Sequence, residues 1–196
     1  MENINNKNIN KKFNIYIFDL DNTLINTTAQ VKIGDSYYNS QEFNKLDLHS
    51  IGYLSSLNGP GIDYSEFDSL DQLLKEPIIK ETFDQLINAY NSGSTIYILT
   101  ARYDATIIQE WLLKNQYGSM VIPLERILTR ANTIACPGMD KMSAKDFKRI
   151  QFYKLLNKFG PVEIHYFEDD FDIIKNIIES DEYHHFKKHI HIHLCS

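Results

Sequence analysis

The sequence has few of the features that mark a secreted or membrane protein. Only Cys136 and Cys195 are cysteines among 196 residues, so no disulfide framework is expected and a reducing compartment is the default. No apolar run approaches the length of a membrane span. Residues 1–12 are rich in Asn and Lys and lack the apolar core of a secretory signal. These absences predict a cytoplasmic protein without membrane contact, preceded by a disordered tail over residues 1–12.

Two further absences limit the possible ligands. The formal net charge is −6, so no overall basic field gathers nucleic acid, although a local basic patch remains open. Neither the Walker phosphate loop nor the glycine fingerprint of dinucleotide-binding folds occurs, and no internal repeat is present. A kinase of the P-loop type is therefore unsupported.

Short apolar runs alternate with amphipathic helical patterns along most of the chain. The predicted strands cover residues 15–18, 95–99, 125–129, 162–167 and 189–194, and the predicted helices cover residues 78–91, 104–115, 143–159 and 173–178. This alternation predicts the α/β class, with a doubly wound, Rossmann-like parallel sheet of about five strands covered on both faces. Residues 13–196 are expected to form a single domain.

A small insert, or flap, is expected beside the first strand, over residues 26–75. Apolar and β-prone residues at 31–33 and 36–38 flank Gly34-Asp35, which predicts a hairpin. The rest of this segment is polar, with a strong turn signal at residues 58–61 and short helical patterns at 40–46 and 70–75.

Three predicted strands end in polar residues. Asp19 and Asp21 follow the first strand, Thr100-Ala101-Arg102 follows the second, and Glu168-Asp169-Asp170 follows the fourth. Open α/β sheets bind ligands at the carboxyl ends of their strands. Two carboxylates one residue apart are costly to bring together without a cation, which indicates a metal site. The alternative is an acidic turn that only caps the next helix.

These polar segments resemble, in their order, the four motifs of the haloacid dehalogenase superfamily of phosphotransferases. Asp19-Leu20-Asp21-Asn22-Thr23 looks like the first motif, Thr100 the second, Lys148 or Lys145 the third, and Asp169-Asp170 the fourth. The resemblance covers residues 13–178 and implies a phosphatase. Asp19 would attack phosphorus to form an aspartyl-phosphate, and Asp21 would protonate the leaving oxygen and then activate water. Thr100 and the lysine would bind the phosphoryl group and neutralise its charge.

The resemblance also implies a Mg²⁺ cofactor. Asp19, the backbone carbonyl of Asp21, and Asp169 would hold the ion, with Asp170 or else Asp172 in support. Lys148 better fits the family's spacing to the fourth motif, but Lys145 lies three residues away on the same helix face and stays open as an alternative.

Arg102, Ala101 and Asn22 are the residues expected to contact the substrate. A bidentate guanidinium could grip a phosphate or a carboxylate; the alternative is a salt bridge to a nearby acid such as Asp104. Thr100-Ala101-Arg102 is similar to the phosphatase parts of nucleic-acid end-repair enzymes. The implied substrate is a phosphate monoester: a nucleotide, a nucleic-acid end or a small ester. The alternative function is a non-catalytic binding or regulatory module, which the presence of both Asp19 and Asp21 disfavours.

Three histidines close the chain in an alternating pattern, at positions 189, 191 and 193. On a strand they share one face, and a His-x-His pattern can bind zinc. The favoured interpretation is an edge strand with one solvated face.

Overall fold

A computed structural model of the chain describes residues 14–39, 42–43, 45–46, 61–115 and 120–195. The strands are β1 (Asn14–Phe18), β2 (Gln30–Ile33), β3 (Ser36–Asn39), β4 (Ile62–Asp63), β5 (Thr95–Leu99), β6 (Ile127–Leu128), β7 (Glu163–Glu168) and β8 (Ile190–Leu194). The helices are α1 (Leu70–Leu73), α2 (Lys80–Asn91), α3 (Ala105–Lys114), α4 (Ala144–Phe159), α5 (Phe171–Ile178) and α6 (Asp181–Phe186).

The centre of the fold is a five-stranded sheet in the order β6-β5-β1-β7-β8, and every neighbouring pair is parallel. The predicted α/β class and the predicted five-stranded parallel sheet are confirmed. β1 lies in the middle, where Phe18 is in register with Ile98 of β5 and Phe167 of β7. The residues that follow β1, β5 and β7 therefore leave the sheet side by side.

Helices pack on both faces of this sheet because the side chains of each strand alternate between them. On one face, Phe18 packs with the buried side chains of α2 and α3. On the other, Ile15 and Ile17 pack with those of α4 and α5. All three β1 side chains are fully buried, and each such burial contributes about 1.5–3 kcal/mol to folding.

Side-chain caps lie at the start of five of the described helices, among them α3, α4 and α5. The Asp104 carboxylate accepts hydrogen bonds from the backbone at the start of α3, Ser143 does the same for α4, and Asp170 for α5. At its other end α4 stops at Gly160, whose φ of 67° is a conformation that disfavours side chains. These caps set the ends of the helices that face the carboxyl edge of the sheet.

The predicted hairpin is also present, as part of a second, three-stranded sheet in which β2 pairs antiparallel with β3 and β4. Acidic side chains accept hydrogen bonds from the backbone where the chain enters this sheet. The buried Glu76 carboxylate accepts hydrogen bonds from Thr28 N at 2.7 Å and Ala29 N at 3.1 Å, and Glu66 accepts one from Gln30 N at 2.8 Å. The described residues of 26–75 are called the insert below.

Several predicted bounds differ from the observed ones. Helix α2 begins at Lys80 rather than residue 78, because Ile78 pairs with Ile25 in an antiparallel bridge and Ile79 N donates to Leu24 O. Strand β6 has two residues where five were predicted, and a 3-10 turn, Leu124–Arg126, precedes it. Strand β7 extends to Glu168, one residue past the prediction. Helix α6 was not predicted.

Some predictions fall on residues that the structure does not describe. The predicted tail at 1–12 and residues 40, 41 and 44 of the predicted helix at 40–46 lie outside the described residues. Within the described part of the chain, no helix combines the length and apolar character that crossing a membrane requires.

Candidate active site

The carboxyl ends of β1, β5 and β7 open on one cavity of about 350 Å³. Every site residue predicted from the sequence lines this cavity: Asp19, Asp21, Asn22, Thr100, Ala101, Arg102, Lys148, Asp169 and Asp170. The fold therefore brings together polar residues from four separate parts of the chain, as parallel strand ends do.

Lys148 is the lysine that reaches the predicted nucleophile. Its ammonium lies 2.8 Å from Asp19 Oδ1 and 2.9 and 3.0 Å from the two oxygens of Glu168, and all three side chains are buried. Burial alone would lower the pKa of Lys148, but Asp19 and Glu168 outweigh it and raise that pKa, so the ammonium stays charged. Lys145, the alternative, is exposed one turn earlier in α4.

Three carboxylates converge beside this lysine. Asp19, Glu168 and Asp169 each offer an oxygen, and these oxygens all lie within 4.8 Å of one another. Burial raises the pKa of Asp19 well above its usual value, with Lys148 opposing and the carboxylates of Glu168 and Asp169 adding to the rise. Burial and Glu168 likewise raise the pKa of Asp169 to about 6. One ammonium does not balance this negative charge, and an oxygen-only cluster of this kind suits a hard divalent cation.

Glu168 is the member of this cluster that the sequence prediction did not place in the site. It is the last residue of β7 and is fully buried, and it also accepts a hydrogen bond from the Tyr166 hydroxyl. Asp170, which the prediction assigned to the metal, caps α5, where its Oδ1 accepts from Asp172 N at 2.8 Å and Ile173 N at 3.2 Å. Asp172, the alternative support, is exposed. Glu168 could have been found from its period-two spacing with Tyr166 and Ile164, which puts it on the buried face of β7.

Arg102 pairs with Asp21 rather than with Asp104. Its Nη2 lies 2.7 Å from Asp21 Oδ1, and its Nε lies 3.2 Å from Oδ1 and 3.0 Å from Oδ2. The Asp104 carboxylate is occupied at the start of α3, where it accepts from Thr106 N at 2.7 Å. Arg102 is 3% exposed, so this bidentate ion pair is largely shielded from solvent.

Thr100 and the turn after Asp21 complete the floor of the cavity. Thr100 is fully buried, its N–H donates to Leu128 O, and its Oγ1 accepts from Arg102 N at 3.3 Å. Asn22 has a φ of 57°, a left-handed conformation that asparagine adopts more readily than most residues. The chain bends there, and the Thr23 hydroxyl donates to Asp169 Oδ1 at 3.5 Å.

Arg130 is a second functional candidate that the sequence prediction missed. Its guanidinium lies over the Tyr103 ring, 4.4 Å from the centroid, and its Nε donates to Ala101 O at 2.9 Å. It lines the cavity, and among the described residues no carboxylate lies within ion-pairing distance of it. The signal for it was the polar pair Thr129-Arg130 directly after β6, a fourth strand end of the same kind.

The alternating histidines lie elsewhere, on one face of the β7–β8 pair. We call His165, His191 and His193 the histidine surface. Their rings stack, with centroids 4.7 Å apart for His165 and His191, and His193 stacks on Phe167 at 4.2 Å. Burial and neighbouring His191 lower the pKa of His193. Within the part of the chain that is described, only Asp19, Glu168 and Asp169 bring three metal-binding side chains to one point.

Comparison of the chain with protein-family models, with curated proteins and with solved structures found no match. A function for the cavity is therefore inferred from its geometry and chemistry. The residues can hold a hard cation, neutralise an anion through Lys148 and Arg130, and present the Asp19 carboxylate to an electrophile.

Proposed function

We propose that the chain is a phosphatase of the haloacid dehalogenase type, which hydrolyses a phosphate monoester through an aspartyl-phosphate on Asp19. The observation that carries this proposal is the contact of Lys148 with both Asp19 and Glu168, beside Asp169 and Thr100 in one cavity. A buried nucleophile against a permanent cation, with hydroxyl and carboxylate groups from neighbouring strand ends, suits the charge that develops in phosphoryl transfer.

The residues present fit a Mg²⁺ ion. The test is their charge: burial and the neighbouring carboxylate of Glu168 raise the pKa values of both Asp19 and Asp169, and a divalent cation at their oxygens would relieve this. Asp19 and Asp169 would hold the ion, with the carbonyl of Asp21 and with Glu168 at the edge of the cluster. When bound, Mg²⁺ supplies charge neutralisation and orientation of the phosphoryl oxygens.

The side chains of the protein divide the remaining work. Asp19 Oδ1 faces Lys148, which leaves Oδ2 to form the bond to phosphorus as the bond to the leaving oxygen breaks. Asp21 supplies a proton to that leaving oxygen and later takes one from the water that hydrolyses the aspartyl-phosphate. Lys148 and the Thr100 hydroxyl hold the phosphoryl oxygens in both steps.

The strand order and the cavity lining also support a fold class, a role for the insert and a kind of substrate. The strand order reverses at β1 and helices lie on both sides of the sheet, which favours the doubly wound class. The insert supplies Tyr64 and Phe67 to the cavity wall and so would act as a flap over the site. Together with Tyr103 and Arg130, these rings favour a phosphate ester with a flat group, such as a nucleotide or a nucleic-acid end, over a bare small ester.

Hydrolysis of p-nitrophenyl phosphate with Mg²⁺ tests the proposal, with Asp19→Asn as the matched variant. We expect the wild-type protein to hydrolyse the ester and the variant to be slower by at least about 10⁴-fold, because the amide is no nucleophile. Equal rates, or no rate in either protein, would replace the proposal with a non-catalytic binding module. A screen of nucleotides, phosphorylated oligonucleotides and sugar phosphates would then narrow the substrate.

A further inference from the structure

Arg102 is bonded to protein partners through all three of its guanidinium nitrogens. We propose that it is a positioning residue for Asp21, and that it connects Asp21 to the insert instead of binding the substrate phosphate. The inference rests on the proposed function, because the carboxyl that it positions is the acid and base of that reaction. It also means that other residues of the same cavity bind the negatively charged phosphate of the substrate.

Each nitrogen of the guanidinium donates to a protein partner. Two of its nitrogens, Nε and Nη2, point at the Asp21 carboxylate. The third, Nη1, donates to Phe67 O at 2.6 Å, and Nη2 also lies 3.4 Å from Thr27 Oγ1. Since the side chain is 2% exposed, a phosphate could reach these donors only by displacing a bidentate, charge-assisted pair.

The pair leaves one oxygen of the Asp21 carboxylate with room for a further hydrogen bond. Asp21 Oδ1 receives two of the three contacts, including the shortest, whereas Oδ2 receives one, at 3.0 Å. A carboxylate oxygen can accept more than one hydrogen bond, so Oδ2 keeps a position for a proton or a water. Asp21 is 21% exposed in its side chain and lines the cavity, which leaves that position open to a ligand.

The insert holds the other side of Arg102. Besides the Phe67 carbonyl, the Phe67 ring lies 5.4 Å from the guanidinium carbon. The next residue, Asp68, accepts hydrogen bonds from Tyr103 N at 3.1 Å and Asp104 N at 3.2 Å, on the backbone that directly follows Arg102. The orientation of the guanidinium, and through it that of Asp21, therefore depends on the insert being in place.

Arg130 shows what an arginine available to substrate looks like in the same cavity. It donates to two backbone carbonyls, Ala101 O and Met142 O, and stacks on Tyr103, with no carboxylate of the described residues as its partner. Neutral partners leave its charge uncompensated, whereas that of Arg102 is cancelled by Asp21. The geometry thus separates a positioning arginine from an anion-binding one.

The test is a leaving-group comparison in Arg102→Lys, which keeps the charge but cannot form the bidentate pair. For 2,4-dinitrophenyl phosphate, whose leaving group needs no proton, we expect kcat/KM to change by less than about threefold. For an alkyl phosphate, whose leaving group needs one, we expect a fall of about 100-fold, the usual contribution of general acid catalysis. Inhibition by inorganic phosphate should be unchanged.

Two comparisons keep the outcomes distinct. Asp21→Asn should show the same split between the esters, and the double variant should be no slower on the alkyl phosphate than Asp21→Asn alone. Arg149→Lys, which alters a half-exposed pair with Asp146, should change neither ester. If circular dichroism shows that Arg102→Lys does not fold, Arg102→Gln takes its place in the same measurements.

Three results would overturn the inference. A rise in the inhibition constant of phosphate in Arg102→Lys would make Arg102 a substrate-binding residue. Equal losses on both esters would make it a structural residue. If the wild-type protein hydrolyses neither ester, the proposed function itself is wrong. If the wild-type protein is active but Arg102→Lys shows no difference between the two esters, only this inference is wrong.

Discussion

The acidic cluster of Asp19, Glu168 and Asp169 and the histidine surface are both groups of metal-binding side chains on neighbouring strands. The pattern Asp-x-Asp identifies one member of the cluster, Asp19, and the pattern His-x-His identifies two members of the histidine surface, His191 and His193. The cluster lies at the ends of β1 and β7, where Asp19 and Glu168 are buried against Lys148. The histidine surface lies on the face of β7 and β8, where His191 and His193 are exposed.

The difference between the two regions is one of direction. At the strand ends the backbone turns away, so side chains from two strands can point at a common centre. Along a strand face the side chains stand parallel and the imidazoles stack: His165 Nδ1 lies 3.3 Å from His193 Nε2, and His191 Nε2 lies 2.6 Å from Glu163 Oε2. Among the described residues, no three metal-binding atoms of this face come within 4.8 Å of one another. A ligand set therefore depends on where in the strand the residues lie, beyond their type and spacing.

Among the substitutions that test this difference between the two regions, we expect the largest effect at Lys148. Lys148→Met removes the cation that lies between two buried carboxylates, and we expect the free energy of unfolding to fall by about 3–5 kcal/mol in urea denaturation. Lys145→Met, one turn away and exposed, should change it by less than about 0.5 kcal/mol. Similar losses in the two variants would contradict the assignment of Lys148 to the acidic cluster.

The second largest difference between the two regions is expected in Mg²⁺ binding. Mg²⁺ at about 100 times its dissociation constant should stabilise the wild-type protein by about 2.7 kcal/mol, which is a rise in Tm of about 5–10 °C. Asp169→Asn removes a ligand and should abolish that rise, whereas His191→Ala should keep it. If thermal melting shows no rise in Tm with Mg²⁺ in His191→Ala, the assignment of Mg²⁺ binding to the acidic cluster rather than to the histidine surface is contradicted.

The pH dependence of the metal-free protein is expected to show a smaller effect of the same cluster. The folded pKa of Asp169 is raised to about 6, so the folded protein takes up a proton before the unfolded chain does. Stability from this group therefore increases as the pH falls from about 7 through 6 toward 5, and is lost as the pH rises again. We expect the gain in Tm between pH 7 and pH 5 to be several degrees smaller in Asp169→Asn. An equal gain in both proteins would contradict the assigned environment of Asp169.

The smallest effect is expected on the histidine surface. His193→Ala removes a ring that stacks on Phe167, which should cost about 0.5–1.5 kcal/mol in the free energy of unfolding. The rate of phosphate ester hydrolysis should stay within about twofold of wild type. A larger loss of activity would mean that this surface belongs to the site after all.

Hydrophobic periodicity was sufficient to predict the sheet, since β5 has the bounds that its apolar run indicated and all five parallel strands are present. It failed where long-range pairing overrides local pattern. The start of α2 is set by Ile78, which pairs with Ile25 more than 50 residues earlier. A local helix signal carries no information about such a partner.

The site was predictable to the extent that its motifs are local. Asp19, Asp21 and Thr100 follow strands directly, and their convergence needs only the parallel topology. Glu168 was missed because the predicted end of β7 at residue 167 placed it in the following turn, outside the alternation of the strand. The pairing of Arg102 with Asp21 joins residues 81 positions apart and depends on the insert, which no spacing rule contains.

The most direct measurement of the central claim is the detection of phosphate on Asp19. The protein is mixed with Mg²⁺ and an aryl phosphate, quenched in acid during turnover, digested and analysed by mass spectrometry. We expect a phosphorylated peptide that contains Asp19, and no such peptide from Asp19→Asn. Turnover of the ester with phosphate on another residue, or undiminished turnover by Asp19→Asn, would contradict it.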